Sequence, residues 1–90
     1  MFKTGKVYMT KGINDTIADN EQFSKEVVQA LQKYKSHNWG DLCEEDKQLN
    51  DEAIINGDRI VAAYKTSQGK IYIITEHDRS ATTILFAEEY

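Results

Sequence analysis

Glu76, His77, Asp78, Arg79 and Ser80 bring a carboxylate, an imidazole and a hydroxyl into one short stretch. These are the residue types of a serine nucleophile activated by a histidine base and steadied by an acid, the apparatus of a small hydrolase or transferase. That chemistry requires the imidazole to touch both partners, whereas neighbours in a tight turn point in divergent directions. A polar turn between two strands explains the same residues without any catalytic geometry. His37 and His77 are far apart in the chain and accompanied by one cysteine, Cys43, a pattern without recognisable ligand spacing, so no metal or other cofactor is expected. The glycines are scattered singly, which provides no phosphate cradle and disfavours nucleotide binding.

A second group lies on the segment from Leu42 to Ile55, which reads as a helix ended by Asn56-Gly57. Asp41, Glu44 and Glu45 gather at its start, where the helix dipole stabilises each negative charge by about 0.3–1 kcal/mol. Leu42, Cys43, Leu49, Ala53 and Ile54 form its apolar arc, and Asp46 and Asn50 fall inside that arc. Two polar groups directed at a core need partners. Arg59 and Arg79, both at strand ends, supply the cations, and a tie from Asp46 and Asn50 to Arg79 and the Ser80 hydroxyl is the expected arrangement. Cys43 reads as a small hydrophobe at the helix start, with reactivity at the positive helix end expected only if it is exposed. Trp39 beside Gly40 reads as closing the edge of a small core rather than anchoring an interface.

The elements that must position these groups follow from periodicity. Arg59–Thr66, Lys70–Glu76 and Ala81–Phe86 are rich in β-branched and aromatic residues and are joined by short polar turns, which predicts an antiparallel meander. Ser67-Gln-Gly69 provides the glycine that a tight hairpin needs. Lys6–Thr10 alternates as a short fourth strand whose place in the sheet is open. One or two helical turns follow around Ile13 and Ile17. A longer helix from Asn20 sets Phe23, Val27, Ala30, Leu31 and Tyr34 on one arc, with Asp19 or Asn20 as its cap. Its outer residues Lys25, Glu26, Gln29 and Lys33 read as solvated. The fold expected is α+β, in the order β-α-α-α-β-β-β, with a four-stranded, mostly antiparallel sheet and the helices packed on one face. On the middle strand of the meander Ile71, Ile73 and Thr75 face one way and Tyr72 and Ile74 the other, so Tyr72 and Ile74 are expected to be an exposed patch or a homodimer surface.

Ninety residues suffice for a single domain with one modest core. The net charge of -4 does not favour a surface that tracks nucleic-acid phosphates. No window is apolar for the ~18 residues of a membrane span, and Met-Phe-Lys-Thr-Gly-Lys lacks the apolar run of a secretion signal, so a cytoplasmic protein without membrane contact is expected.

Several segments together resemble a known group of sequences: Thr10-Lys-Gly-Ile13, Trp39-Gly-Asp-Leu42 with Glu45-Asp46, Asn50, Gly57 with Arg59, Ala63-Tyr64, Ile73-Ile-Thr-Glu76, Asp78-Arg-Ser80, Thr82-Thr83 and Glu89-Tyr90. The chain is similar over nearly its whole length to a family of small uncharacterised proteins from plasmids and integrative elements of Gram-positive bacteria, often labelled plasmid-related protein or type I restriction endonuclease subunit M. The resemblance implies a setting and no mechanism. The second label does not fit the residues: a modification subunit needs an Asn-Pro-Pro-aromatic base pocket, and this chain has no proline. The reading that follows is a non-enzymatic accessory protein of a mobile element acting on a protein partner. Its candidate contact surfaces are the acidic helix start (Asp41, Glu44, Glu45) and the sheet face (Tyr72, Ile74). The alternatives are an acidic inhibitor of a host defence nuclease, with carboxylates in place of DNA phosphates, and an enzyme using the turn at 76–80.

Overall fold

The computed structural model describes residues 2–90. Four strands, β1 (Lys6–Met9), β2 (Ile60–Thr66), β3 (Gly69–Thr75) and β4 (Ala81–Phe86), and three helices, α1 (Lys11–Asp19), α2 (Glu21–Lys35) and α3 (Glu44–Asn56), follow in the expected order. The sheet runs β1-β4-β3-β2. The meander is antiparallel, with Ile60 opposite Thr75 and Ile73 opposite Ile84. β1 joins parallel to β4, in the register Tyr8 to Thr83, so the sheet is mixed.

Each helix begins and ends for local reasons. Asn20, rather than Asp19, caps α2: its Oδ1 accepts the Phe23 N–H at 2.9 Å. Thr10 caps α1 through Ile13 N–H, and α3 stops at Gly57 in the left-handed region, φ 76°. Phe23, Val27, Ala30 and Tyr34 are buried on one side of α2, as their spacing predicts. They meet Ile60, Ala62, Ile71, Ile73 and Ile84 from the facing side of the sheet, together with Ile13, Trp39 and Ala53. Trp39 is buried in this core, and its Nε1–H donates to Asp51 Oδ1 at 2.9 Å. A chain of hydroxyls crosses the same layer: Tyr34 OH lies 2.7 Å from Thr75 Oγ1, Thr75 Oγ1 lies 2.7 Å from Thr82 Oγ1, and Thr82 donates to Thr4 C=O. Because the Thr82 proton is committed to Thr4, Thr75 must donate to Thr82 and Tyr34 to Thr75. Every member of the chain is thereby satisfied.

The opposite sheet face corrects one expectation. Tyr72 is half-buried and Ile74 is buried, so the two do not form an exposed patch. Residues after β4 turn through a short 3-10 segment, Ala87–Glu89, and bring the Tyr90 ring edge-on to Tyr72 with centroids 5.4 Å apart. The Arg59 guanidinium lies 5.9 Å from the Tyr90 centroid, a cation–π distance. The chain's own last residue covers part of the face that a second copy was expected to cover.

Candidate functional site

The polar groups singled out in the sequence gather around α3 and the margin of the sheet beside it. β2 is an outer strand, so alternate residues direct N–H and C=O away from β3. At Val61 both groups meet Asn50: the Asn50 amide donates to Val61 C=O at 2.8 Å, and its Oδ1 accepts Val61 N–H at 3.3 Å. Gly40, at φ 73°, lays the chain alongside β2, and Asp41 N–H donates to Ala63 C=O at 2.8 Å. The Asp41 carboxylate then accepts Lys65 N–H at 2.8 Å. Val61, Ala63 and Lys65 are thus bonded in succession, and one margin of the sheet is closed to further strand pairing.

This geometry revises the expected tie. Asn50 is buried as expected, but its partner is the backbone of Val61 and not Arg79 or Ser80. Asp46 is exposed and takes no part. It lines a surface groove of about 300 Å³ with Leu42, Leu49, Asn50, Arg59 and Val61. Leu49, placed in the apolar arc by its spacing, is 59% exposed, and Cys43 at the helix cap is exposed as well. The cause is what α3 packs against. α3 sends Ala53 and Ile54 into the core, but the turn before them meets the polar margin of β2 instead of an apolar sheet face, and the residue it directs inward there is an amide.

Arg79 makes a separate tie. In the left-handed region at φ 61°, it donates from Nη1 to Asp58 C=O at 2.7 Å and from Nη2 to Ala53 C=O at 3.0 Å. It thereby joins the β3–β4 turn to the carbonyl end of α3, where a cation is favoured. Ser80 contributes its N–H, which donates to Asp78 Oδ1 at 3.0 Å and closes the turn. Hydrogen bonding by Ser80 holds the Asp78 carboxyl below its usual range. Asp78 is therefore engaged in shaping the backbone, and Arg79 carries the turn's long-range contact. Glu26 belongs to the same class of tie, although its position on the outer side of α2 reads as solvated: its carboxylate accepts Ser67 N–H at 3.0 Å and Ser67 Oγ–H at 2.6 Å.

A depression of about 340 Å³ lies between α2 and β2, lined by Glu26, Lys33, Asp41, Tyr64 and Lys65. Glu26 and Asp41 are held as described, and Tyr64 OH donates to Asn38 C=O at 2.7 Å. Burial raises the Tyr64 phenol well above its ordinary value, and burial raises that of Tyr34 to about 12. Among the described residues no group of three or more His, Cys, Asp and Glu is placed to hold a metal ion, and no helix is long and apolar enough to cross a membrane.

The acidic start of α3 divides in two. Asp41 belongs to the margin seal, while Glu44 and Glu45 are exposed. Beyond them the outward side of α3 carries Leu49 at 59% exposure and Ile55 at 83%. Glu45, Leu49 and Glu52 follow at i, i+4 and i+7, which lines them up along the helix, with Gln48 and Ile55 in the adjacent row. The signal for this surface in the sequence was Ile55, an apolar residue of α3 that lies outside the arc formed by Leu49, Ala53 and Ile54. No family model, curated protein or solved structure matches the chain.

Proposed function

We propose that this chain acts by binding another protein through the outward side of α3, as a non-enzymatic accessory protein of a plasmid or integrative element. The mobile-element setting rests on the sequence resemblance. The observation that carries the binding role is Ile55, 83% exposed on a helix that also exposes Leu49 between Glu45 and Glu52. Apolar side chains flanked by carboxylates suit a partner with an apolar groove and a basic rim, the mode in which a helix docks by one face. Charge sets the encounter rate there and the buried aliphatic groups set the lifetime.

The acidic-inhibitor alternative draws on Glu44, Glu45, Asp46 and Glu52 of the same helix, all exposed. It is the weaker reading, because a phosphate mimic needs an unbroken run of charge. Leu49 and Ile55 interrupt this one, and Lys47 stands 3.7 Å from Glu44.

The test begins with immobilised protein and lysate from a host carrying such an element. A captured protein is then purified and titrated against the wild type and a Leu49→Ser/Ile55→Ser variant. Loss of at least about tenfold in affinity with unchanged melting is expected, equivalent to ~1.4 kcal/mol. Equal binding by the variant refutes the α3 surface. Competition by duplex DNA that fades with salt would favour the inhibitor reading.

A further inference from the structure

We propose that the bare margin of the sheet, strand β1, pairs antiparallel with the β1 of a second copy, centred on Tyr8, to form a symmetric dimer with a continuous eight-stranded sheet. The two margins differ sharply. The β2 margin is sealed at Val61, Ala63 and Lys65 by Asn50 and Asp41. On β1, Lys6 N–H donates to Ser80 C=O and Thr10 N–H to Ile84 C=O, so the even-numbered residues bond β4. The N–H and C=O groups of Val7 and Met9 therefore point outward. Val7, Tyr8 and Met9 are 38%, 52% and 41% exposed. An outer strand with exposed apolar side chains and backbone groups that no described residue pairs is a template for another strand.

The occupant follows from the pattern of those groups. Two outward residues separated by one make a self-complementary set: with Val7 opposite the second copy's Met9, and Met9 opposite its Val7, all four N–H and C=O pairs close at once. Tyr8 then faces its own copy across the axis as a non-hydrogen-bonded pair, where side chains approach most closely. Shifting to Val7 opposite Val7 pairs Met9 with Gly5, which lies outside the strand at φ 63°. Shifting to Met9 opposite Met9 pairs Val7 with Lys11, the first residue of α1. Charge selects the same register. It sets Lys6 opposite Thr10, whose hydroxyl already donates to Glu89 Oε1 at 2.8 Å, so each lysine meets the other copy's carboxylate and no like charges oppose. A four-residue margin buries less than the ~1,200–2,000 Å² of a standard interface, so the dimer is a concentration-dependent one. It involves the margin opposite α3 and is independent of the partner proposed for that helix.

Sedimentation velocity from ~10 μM to ~1 mM reads the association. Val7→Pro removes an outward N–H without touching a bond to β4, a position at which an outer strand tolerates proline. It is expected to weaken dimerisation at least about tenfold. In a Cys43→Ser background, Tyr8→Cys is expected to cross-link to its own copy on mild oxidation, and Lys6→Cys, which faces Thr10, is not. The cysteine pair decides the matter even if the proline variant fails to fold. A monomer throughout the range, a dimer indifferent to Val7→Pro, or equal cross-linking at both positions overturns the proposal.

Discussion

Asn50→Asp isolates what holds α3 to the sheet, because it keeps the side chain's size and changes one donor into an acceptor. In the native protein the amide donates to Val61 C=O at 2.8 Å, the shorter of its two bonds, in a residue only 5% exposed. A carboxylate there loses that bond and turns negative charge toward a carbonyl oxygen. Losing the bond and leaving the acceptor unsatisfied costs about 2–3 kcal/mol, taken from the usual range for a partly buried group. For a domain of this size that lowers the melting temperature by roughly 8–24 °C. The penalty should depend on pH. Burial beside a carbonyl raises the new carboxyl's folded pKa above its unfolded ~3.9, so the protonated form is favoured in the folded chain. Lowering the pH through that raised value restores a donor, and the stability difference from wild type narrows from pH 7 toward pH 4. Measuring the difference cancels the contributions that the two proteins share. Urea unfolding at several pH values reads both quantities. A penalty under ~0.5 kcal/mol, or one constant with pH, would refute the view that Asn50 caps the margin.

Three further outcomes follow. Thr75→Val cuts the hydroxyl chain in the middle and is expected to cost about 1–3 kcal/mol, with Thr75→Val/Thr82→Val costing less than the sum of the single changes, as denaturant titrations would show. Gly40→Ala places a Cβ against Ala63 C=O and the Tyr64 ring at φ +73°; a loss of more than about 2 kcal/mol is expected, together with faster amide exchange at Lys65, whose N–H the Gly40 turn brings to Asp41. Of the five tyrosines, Tyr34 and Tyr64 are held un-ionised by burial. Their folded pKa values lie above the unfolded ~10, so the stability they contribute is intact below that pH and is lost as pH rises through the folded values. Absorbance titration should show Tyr34 and Tyr64 ionising only with unfolding.

Much of this fold is written in local periodicity, and the site is not. The α2 arc of Phe23, Val27, Ala30 and Tyr34 is an apolar stripe meeting an apolar sheet, which is the case a helical period describes. The three meander strands carry their own turns and pair with their neighbours in sequence, so their alternation suffices. β1 returns from the far end of the chain, and nothing local states that it lies parallel beside β4. At α3 the period holds for Ala53 and Ile54, which reach the core, and misleads where the helix meets the backbone of β2: Leu49 is turned out, Asp46 is left in water and Asn50 is turned in. The sequence did mark Asn50 as a polar group in need of a partner. It could not name Val61, since that depends on which strand is outermost. Asp41 looked like one more charge at a helix start, and only the Gly40 turn makes it a strand partner.

A sealed margin on one side and a bare one on the other determine what kind of assembly the chain can reach. A single bare margin pairing with its own copy closes after two chains, whereas two different bare margins permit head-to-tail addition without closure. Asn50→Asp leaves Val61 C=O without its donor and loosens α3 from β2, while Asp41 still holds Ala63 and Lys65, so it opens a second margin at the Val61 end. At high concentration it should pass beyond the dimer into open-ended assemblies, detectable by light scattering. Instability alone could also cause aggregation, and Thr75→Val controls for that: it destabilises to a similar extent and leaves Asn50 and Asp41 in place. Adding Val7→Pro to Asn50→Asp blocks β1 and should halt growth while leaving the molecule as unstable as before. Equal scattering from Thr75→Val and Asn50→Asp, or growth that persists with β1 blocked, would mean that the margin seals do not govern association.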